Sequence, residues 1–336
     1  MGIAKVVARK FLFPFVVEAG LVRLLSGNVS ANRLIVMYHG VVNKTDFNLS
    51  VNHLSLPDFE YQIKYLSEHF EIVPLREIFK SYREGKAGKN QIAITFDDGY
   101  ENNYTNAFPV LKKYNAPATI FVVTKMLDQP DYLLWYDLID LVKQKLDISF
   151  FKNNAQLLDE EKRYLILQTN GWSDFKNKMK LLDIQDKELV IQRHSIEVKQ
   201  ALEGVNKEFR KLLTVEQMSE MISSGLIEIG SHTHHHPNLD EISSEAAKNE
   251  IEHSKTILEQ KLKVEIKSIA FPDGAYNQQT IQLCKQAGYE NLLAVDYKTA
   301  SDLQDRSILP RFCISNTTTP ESNIFQIYRA FSKKGF

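Results

Sequence analysis

The chain has 336 residues, of which 43% are hydrophobic and 25% charged, and its formal net charge is −1. This composition fits a globular protein with a large core, built as one α/β domain or as a domain with an insertion. Lysine and arginine are spread along the chain, so nucleic-acid binding is discounted. The two cysteines, Cys284 and Cys313, are too few for a disulfide framework and fit a reducing compartment.

Residues 1–33 are predicted to form an amino-terminal helical arm. Basic residues precede an apolar stretch, as in a secretory signal, but Pro14, Glu18 and Arg23 interrupt that stretch and no cleavage site is evident. It is also too short and broken to span a bilayer comfortably. We expect the arm to pack on the domain, with peripheral membrane contact as the alternative. The expected location is cytoplasmic, with membrane association left open.

Residues 34–336 are predicted to form one α/β domain. Seven β-rich runs follow one another, namely LIVMYHGV, QIAITF, APATIFVV, GLIEIGS, IKSIAF, NLLAVD and SILPRFCI. Helical periodicity appears between several of them, as in PDFEYQIKYLSEHF and SSEAAKNEIEHSKTILEQKL. Strands that alternate with helices predict a parallel sheet, and about seven strands favour its closure into a barrel.

A long stretch interrupts this alternation at about residues 129–215. It begins with YLLWYDLIDLVKQKL and continues as a polar helical segment rich in lysine and asparagine. Because an ordinary connection between a strand and a helix is much shorter, we predict a helical insertion in the barrel. Insertions in barrel loops often shape access to the substrate.

Two adjacent carboxylates, Asp97 and Asp98, directly follow the strand QIAITF. Functional side chains of a barrel lie at the carboxyl ends of its strands. Two like charges this close raise each other's pKa, so an unpaired acidic pair would be costly and a bound cation would relieve it. The alternative is a simple turn, since aspartate and glycine both favour turns.

A histidine cluster, SHTHHH, follows the strand GLIEIGS and contains His232, His234, His235 and His236. Imidazole is the commonest metal ligand and suits zinc and its neighbours. His232 and His236 are four residues apart and can face one ion if the turn is helical. The other two histidines are expected to point elsewhere or to support the site. One carboxylate and two imidazoles leave metal positions open for water and substrate, as in hydrolytic sites.

The motifs TFDDGY and SHTHHH resemble the first two motifs of the polysaccharide deacetylases, the NodB-like carbohydrate esterase family 4. The resemblance implies a distorted (β/α)7 barrel and a single divalent metal ion, with zinc first and cobalt or nickel as alternatives. It implies that Asp97 is the general base. Asp98, His232 and His236 are the implied metal ligands. The expected reaction is removal of N-acetyl groups from a polysaccharide or glycolipid, with release of acetate.

The third motif of the family is matched only in part by IAFPDGAY. Ala270 stands where the family has an arginine that braces the catalytic aspartate, and Asp273 replaces an aromatic residue. Arg311, in LPRFCI, is the substitute that we predict for the missing arginine. The backbone N–H of Asp273 is predicted to serve as the oxyanion-hole donor, since a backbone group tolerates a changed side chain.

The family's carboxyl-terminal acid histidine is also missing, because the chain has no histidine after His253. The amino-terminal run LIVMYHGV resembles the Tyr-His strand of the circularly permuted members, which include deacetylases of poly-β-1,6-N-acetylglucosamine. That resemblance implies that His39 is the general acid. A histidine after an apolar strand is otherwise more often a core residue.

Four aromatic residues are candidates for sugar contact, because flat apolar faces suit sugar rings: Tyr100, Tyr276, Trp135 and Tyr136. The expected partner is an N-acetylated glycan or a lipid-linked saccharide, and no nucleic acid. Two other functions stay open from the sequence. One is an O-acetyl esterase or another amide hydrolase on the same barrel, and the other is a glycan-binding protein without catalysis.

Overall fold

The computed structural model describes residues 12–18, 21–22, 33–86, 90–129 and 131–333. The strands in these residues are β1 (Arg33–Tyr38), β2 (Gly40–Val42), β3 (His53–Ser55), β4 (Glu71–Ile72), β5 (Gln91–Phe96), β6 (Ala118–Val122), β7 (Ile227–Ser231), β8 (Ser268–Ala270), β9 (Asn291–Ala294), β10 (Ile308–Pro310) and β11 (Phe312–Cys313). Each of the seven predicted β-rich runs contains a strand.

The α-helices in the same residues are α1 (Phe13–Glu18), α2 (Leu56–His69), α3 (Leu75–Arg83), α4 (Phe108–Lys113), α5 (Lys125–Asp128), α6 (Trp135–Val142), α7 (Ile148–Asn154), α8 (Glu160–Leu167), α9 (Gly171–Lys180), α10 (Ile184–Ile191), α11 (Ile196–Leu202), α12 (Val215–Ser223), α13 (Ser244–Leu262), α14 (Gln278–Gln286) and α15 (Pro320–Lys333). Short 3-10 turns occupy Ala155–Leu157, Lys207–Phe209, Pro272–Gly274 and Asp302–Gln304, and a π-helical turn spans Asn103–Ala107. Two helices whose periodicity is visible in the sequence, α2 and α13, begin at serine caps, Ser55 and Ser243.

The main sheet is parallel, with the strand order β10, β9, β8, β7, β6, β5, β1 and β11. β10 pairs with β9 and β11 pairs with β1, and Arg311 is the single residue between β10 and β11. The last strand therefore joins both edges of the sheet and closes it, which confirms the predicted barrel. β4 adds to the start of β5, while β2 and β3 form a separate two-stranded sheet.

The barrel interior is filled by one side chain from each of several strands, because residues alternate between the two faces of a strand. These side chains form one buried cluster with α3, and its strand residues are Ile35, Ala93, Phe121, Ala270, Leu293 and Leu309. Gly230 of β7 makes room for Phe121, since a Cβ there would lie 2.4 Å from the ring. Interior packing thus holds the strands that carry the site.

The stretch between β6 and β7 is helical, and six of its helices, α6 to α11, lie between Trp135 and Leu202. Their buried side chains form a second core, separate from the barrel, that includes Leu138, Phe151 and Phe175. The next helix, α12, leads directly into β7. The segment therefore has its own hydrophobic core. It returns to the barrel's carboxyl edge just before α12, where the N–H of Leu213 donates to the carbonyl of Gly99, shortly after β5.

Most of the predicted arm, residues 1–33, lies outside the described residues. Its described part packs on the carboxyl-terminal helix α15, where Phe13 stacks on Phe325 with ring centroids 4.0 Å apart and Val16 and Val17 are buried. Phe15 remains 63% exposed. Within the described part of the chain, none of the helices combines the length and the apolar character that a membrane span requires.

Candidate active site

The acidic pair lies at the carboxyl end of β5, where the backbone turns sharply. The N–H of Asp97 donates to the carbonyl of Tyr38 on the neighbouring strand (3.0 Å), which continues the sheet by one residue. Asp98 and Gly99 then take left-handed conformations, with φ of 75° and 78°. This turn keeps both carboxylates buried, with Asp97 3% and Asp98 1% exposed.

Arg311 binds Asp97 through two parallel hydrogen bonds. Nη1 lies 2.6 Å from Oδ1 and Nη2 lies 2.8 Å from Oδ2. The guanidinium is fully buried and lies over the ring of Phe121. Burial alone would raise the pKa of Asp97, but the charge of Arg311 and, at low pH where it is protonated, that of His232 lower this pKa to about 2. The contact predicted to replace the family's missing arginine is therefore present, and Asp97 is ionised at neutral pH.

Replacing Arg311 by methionine should raise the pKa of Asp97, because the guanidinium that lowers it would be gone. Asp97 must be ionised to accept a proton, so the acidic limb of the kcat/KM profile should move to higher pH. Leaving a buried carboxylate unpaired also costs about 3–5 kcal/mol of unfolding free energy in comparable cases. Thermal unfolding of the variant is therefore measured beside its pH profile.

The matched control for this variant is Arg306→Met, which removes an arginine that donates to the carbonyl of Arg83 outside the site. We expect its pH profile to coincide with that of the unchanged protein. A folded Arg311→Met protein with an unshifted acidic limb would leave Arg311 with a structural role only.

Asp98, His232 and His236 form a buried group whose ligand atoms all lie within 4.8 Å of one another. Nε2 of His232 and Nε2 of His236 are each 3.6 Å from Oδ1 of Asp98. Both carboxylate oxygens of Asp98 are buried without a hydrogen-bond partner. Unpaired buried carboxylate oxygens are costly, and a cation among these three residues would satisfy them. The donor set of two imidazoles and one carboxylate fits zinc or a similar ion.

Backbone contacts orient the two imidazoles toward this position. Nδ1 of His232 lies 2.8 Å from the carbonyl of Ala270, so it carries the proton and leaves Nε2 free as a ligand atom. His236 has a left-handed backbone (φ 61°), and its N–H donates to Oγ1 of Thr233. Burial lowers the pKa of both histidines, that of His236 to about 4. Both rings are therefore neutral at pH 7, the form that binds metals.

His39 follows β1 and is half-buried. Its carbonyl accepts a hydrogen bond from Nδ2 of Asn103 (2.7 Å). The residue borders a cavity of about 290 Å³ that is also lined by the end of β11 and the residues after it, from Cys313 to Thr317. A positive charge on His39 would add to the effects of Arg311 and His232 that lower the pKa of Asp97. His39 therefore lies at the same edge of the barrel as the acidic pair, beside an open cavity.

Asp273 has a left-handed backbone (φ 52°) in the turn after β8. The amides of the next two residues, Gly274 and Ala275, donate to the carbonyls of Phe271 and Pro272, which makes the turn compact. The carboxylate of Asp273 pairs with Lys180 of the inserted helix α9, with Nζ 2.8 Å from Oδ2. The role of its N–H in an oxyanion hole remains a prediction.

Three of the four aromatic residues predicted to contact sugar are buried in the core, which corrects that prediction. Tyr100 is fully buried and its hydroxyl donates to Asp137 (2.7 Å). Tyr276 is 2% exposed and stacks on Phe271. Trp135 is 3% exposed and belongs to the core of the insertion. A ring without an exposed face cannot stack on a sugar.

Tyr136 is the aromatic candidate that reaches the site. It is half-buried, and its ring centroid lies 5.1 Å from that of His236. Its neighbour Asp137 and Lys180, both from the insertion, were not predicted from the sequence. Asp137 accepts the hydrogen bond of Tyr100, and Lys180 pairs with Asp273. Asp137 is itself buried, and burial together with the charge of Asp98 raises its pKa. The one sequence feature that could have indicated Asp137 is its position next to Tyr136 at the start of the inserted segment.

The described chain is a parallel α/β barrel with a buried carboxylate and histidine centre at the carboxyl ends of its strands, the architecture of a barrel enzyme. Residues 84–292 match the model of the polysaccharide deacetylase family, described as "Polysaccharide deacetylase". The chain belongs to this family. The matched residues include Asp97, Asp98 and the histidine cluster, whereas His39 and Arg311 lie outside them.

Similar proteins are found by sequence and by structure. The chain is 24% identical to YxkH of Bacillus subtilis, assigned by inference to the polysaccharide deacetylases, over 84% of this chain and 71% of that protein. It is 22% identical to a poly-β-1,6-N-acetyl-D-glucosamine N-deacetylase of Staphylococcus aureus, over 78% of this chain and 68% of that protein. The fold also resembles the deacetylase PplD of Streptococcus pyogenes, with a TM-score of 0.56 and 20% identity. The match covers 87% of this chain and 96% of that protein.

Proposed function

We propose that the protein is a metal-dependent N-deacetylase that hydrolyses the N-acetyl groups of a glycan and releases acetate. The observation that carries the proposal is the different environment of the two adjacent carboxylates. Asp97 is held by Arg311. Asp98 has no hydrogen-bond partner and faces two neutral imidazoles. One carboxylate is thus available to a cation while its neighbour is fixed and ionised, as a general base requires.

Asp98, His232 and His236 would hold the ion, and their donor types favour zinc, with cobalt and nickel as alternatives. When bound, such an ion polarises the acetamide carbonyl and lowers the pKa of a water molecule. The position of Asp97 supports the assignment of the base, because its Oδ2 lies 3.8 Å from Nε2 of His232 and therefore at the edge of the ligand group.

The chain's own residues would handle the protons. Asp97 takes a proton from the attacking water as the carbon–oxygen bond forms. The N–H of Asp273 donates to the developing oxyanion. His39, in its protonated form, gives a proton to the departing nitrogen as the carbon–nitrogen bond breaks. The products are acetate and a free amino sugar, and the sum of the steps consumes one water.

The substrate that we propose is an N-acetylated glucosamine polymer, because a relative covered over two thirds of its length is named as a deacetylase of poly-β-1,6-N-acetyl-D-glucosamine. As an alternative substrate we propose a lipid-linked precursor at the cytoplasmic face of a membrane. The exposed side chains of Leu12, just before α1, and of Phe15, within it, support such a peripheral contact.

The experiment that tests the proposed function is acetate release from a panel of saccharides in the presence of zinc. The panel pairs N-acetylglucosamine oligomers with glucose oligomers that carry O-acetyl groups of matched number. We expect faster acetate release from the N-acetylated members, together with the appearance of free amines. Turnover of the O-acetylated members alone would instead identify an esterase. Binding of oligomers without acetate release would identify a glycan-binding protein.

A further inference from the structure

A second group of potential ligands lies outside the site just described. It consists of Asp128, His234 and His253, whose ligand atoms lie within 4.8 Å of one another. Three separate elements supply them, since Asp128 ends α5, His234 lies in the loop after β7, and His253 is in α13. The rings of His234 and His253 meet edge to face, with centroids 4.5 Å apart. Neither Asp128 nor His253 is needed for the proposed catalysis.

The three side chains are arranged so that their ligand atoms are available. Nδ1 of His234 lies 2.9 Å from Oγ1 of Thr124, which leaves Nε2 for another partner. His234 is 6% exposed and therefore fixed, whereas Asp128 and His253 are exposed and can rotate. Ligand atoms of a tetrahedral zinc ion lie roughly 3.4 Å apart. Small rotations of the two exposed side chains would bring the group to that spacing.

The charges around the group favour a cation overall. Asp128 contributes one carboxylate. Glu250 lies beneath the same loop and accepts hydrogen bonds from the amides of His234 and His235 (2.9 and 2.8 Å) and from Nδ1 of His235 (2.7 Å). Lys125 is the nearby positively charged residue, and its amide donates to the carbonyl of His234. Its side chain is half-buried, and its ammonium can turn toward water at little cost.

We propose that Asp128, His234 and His253 form a second binding site for a divalent ion of the zinc class. Two imidazoles and one carboxylate are the same donor types as in the first group, and exposure leaves the remaining positions to water. His234 lies between His232 and His236 in the chain. An ion here ties the loop that carries two residues of the first site to α5 and α13, and so stabilises that loop.

The test is the number of zinc ions bound at saturation, measured by equilibrium dialysis and metal analysis on protein without a histidine tag. We expect two ions per chain for the unchanged protein and one for His253→Gln and for Asp128→Asn. The matched control is His194→Gln, an exposed histidine of the insertion, which should keep two. Both ligand variants change exposed side chains, so we expect them to fold.

A second readout separates a specific site from loose surface binding. Zinc added beyond the first equivalent should raise the thermal unfolding temperature of the unchanged protein and of His194→Gln, but not that of His253→Gln. One ion per chain in the unchanged protein would overturn the proposal. Two ions in both ligand variants would overturn it as well, because the second ion would then lie elsewhere. These outcomes are independent of whether the protein deacetylates a glycan.

Discussion

The Asp97→Asn variant should lose nearly all turnover while it keeps its metal ion. Asparagine has almost the same volume as aspartate but cannot accept a proton from water, and removing a general base costs roughly 10²–10⁴ in rate. The metal ligands Asp98, His232 and His236 are unchanged, so metal content should stay at the level of the parent protein. Acetate release and metal analysis on the same preparation give both values.

Loss of the Asp97 charge also leaves the buried Arg311 without its partner, which destabilises the fold for a reason unrelated to catalysis. The double variant Asp97→Asn, Arg311→Met removes this mismatch. It should recover part of the lost unfolding temperature and none of the activity. The neighbouring change Asp98→Asn is the matched comparison and should lose affinity for the ion itself. Wild-type activity in a folded Asp97→Asn protein would show that the base is another residue.

The His39→Ala variant should lose activity in a way that depends on the leaving group. An amide needs protonation of its nitrogen, because an amine anion is a very poor leaving group, whereas an activated aryl ester does not. We therefore expect a loss on the order of a hundredfold or more on an N-acetylated saccharide and a much smaller loss on an aryl acetate. Metal content should not change, since His39 lies outside the ligand group.

The control for this variant is His69→Ala, which removes a half-buried histidine stacked on Tyr65, far from the acidic pair in the fold. Its rates on both substrates should stay at the parent level. Equal losses on the amide and the ester would give His39 a structural role. Unchanged rates on both would remove it from the site.

The barrel could be predicted because its strands are local features of the sequence. Each strand is a short apolar run bounded by polar or glycine-rich turns, and such runs need no knowledge of distant residues. The site followed from the same pattern, because parallel strands bring their carboxyl ends to one edge. Asp97, Asp98 and His232 directly follow β5 and β7, so their proximity follows from the topology.

The contact between Arg311 and Asp97 was harder to predict, because it depends on how the barrel closes. The two residues are 214 positions apart in the chain, and no local signal links them. Arg311 lies between β10, which pairs with β9, and β11, which pairs with β1. The prediction was possible only because the family's arginine is missing at Ala270 and a buried carboxylate needs a partner.

The aromatic contacts could not be predicted reliably, since sequence does not distinguish an exposed ring from a buried one. Tyr100 and Tyr276 donate their hydroxyl groups to buried carboxylates. A single sequence contains no pattern that indicates such a contact. Which residues of the insertion reach the site depends on how its separate core packs on the barrel. Tyr136 and Lys180 reach the site through that packing.

The central claim is that Asp98, His232 and His236 hold an ion on which deacetylation depends. Its most direct test is acetate release from an N-acetylglucosamine oligomer, followed while the ion is removed by a chelator and then restored as zinc. We predict that release stops in the metal-free protein, returns with zinc, and does not return in Asp98→Asn. Undiminished acetate release by protein shown to be metal-free would contradict the account.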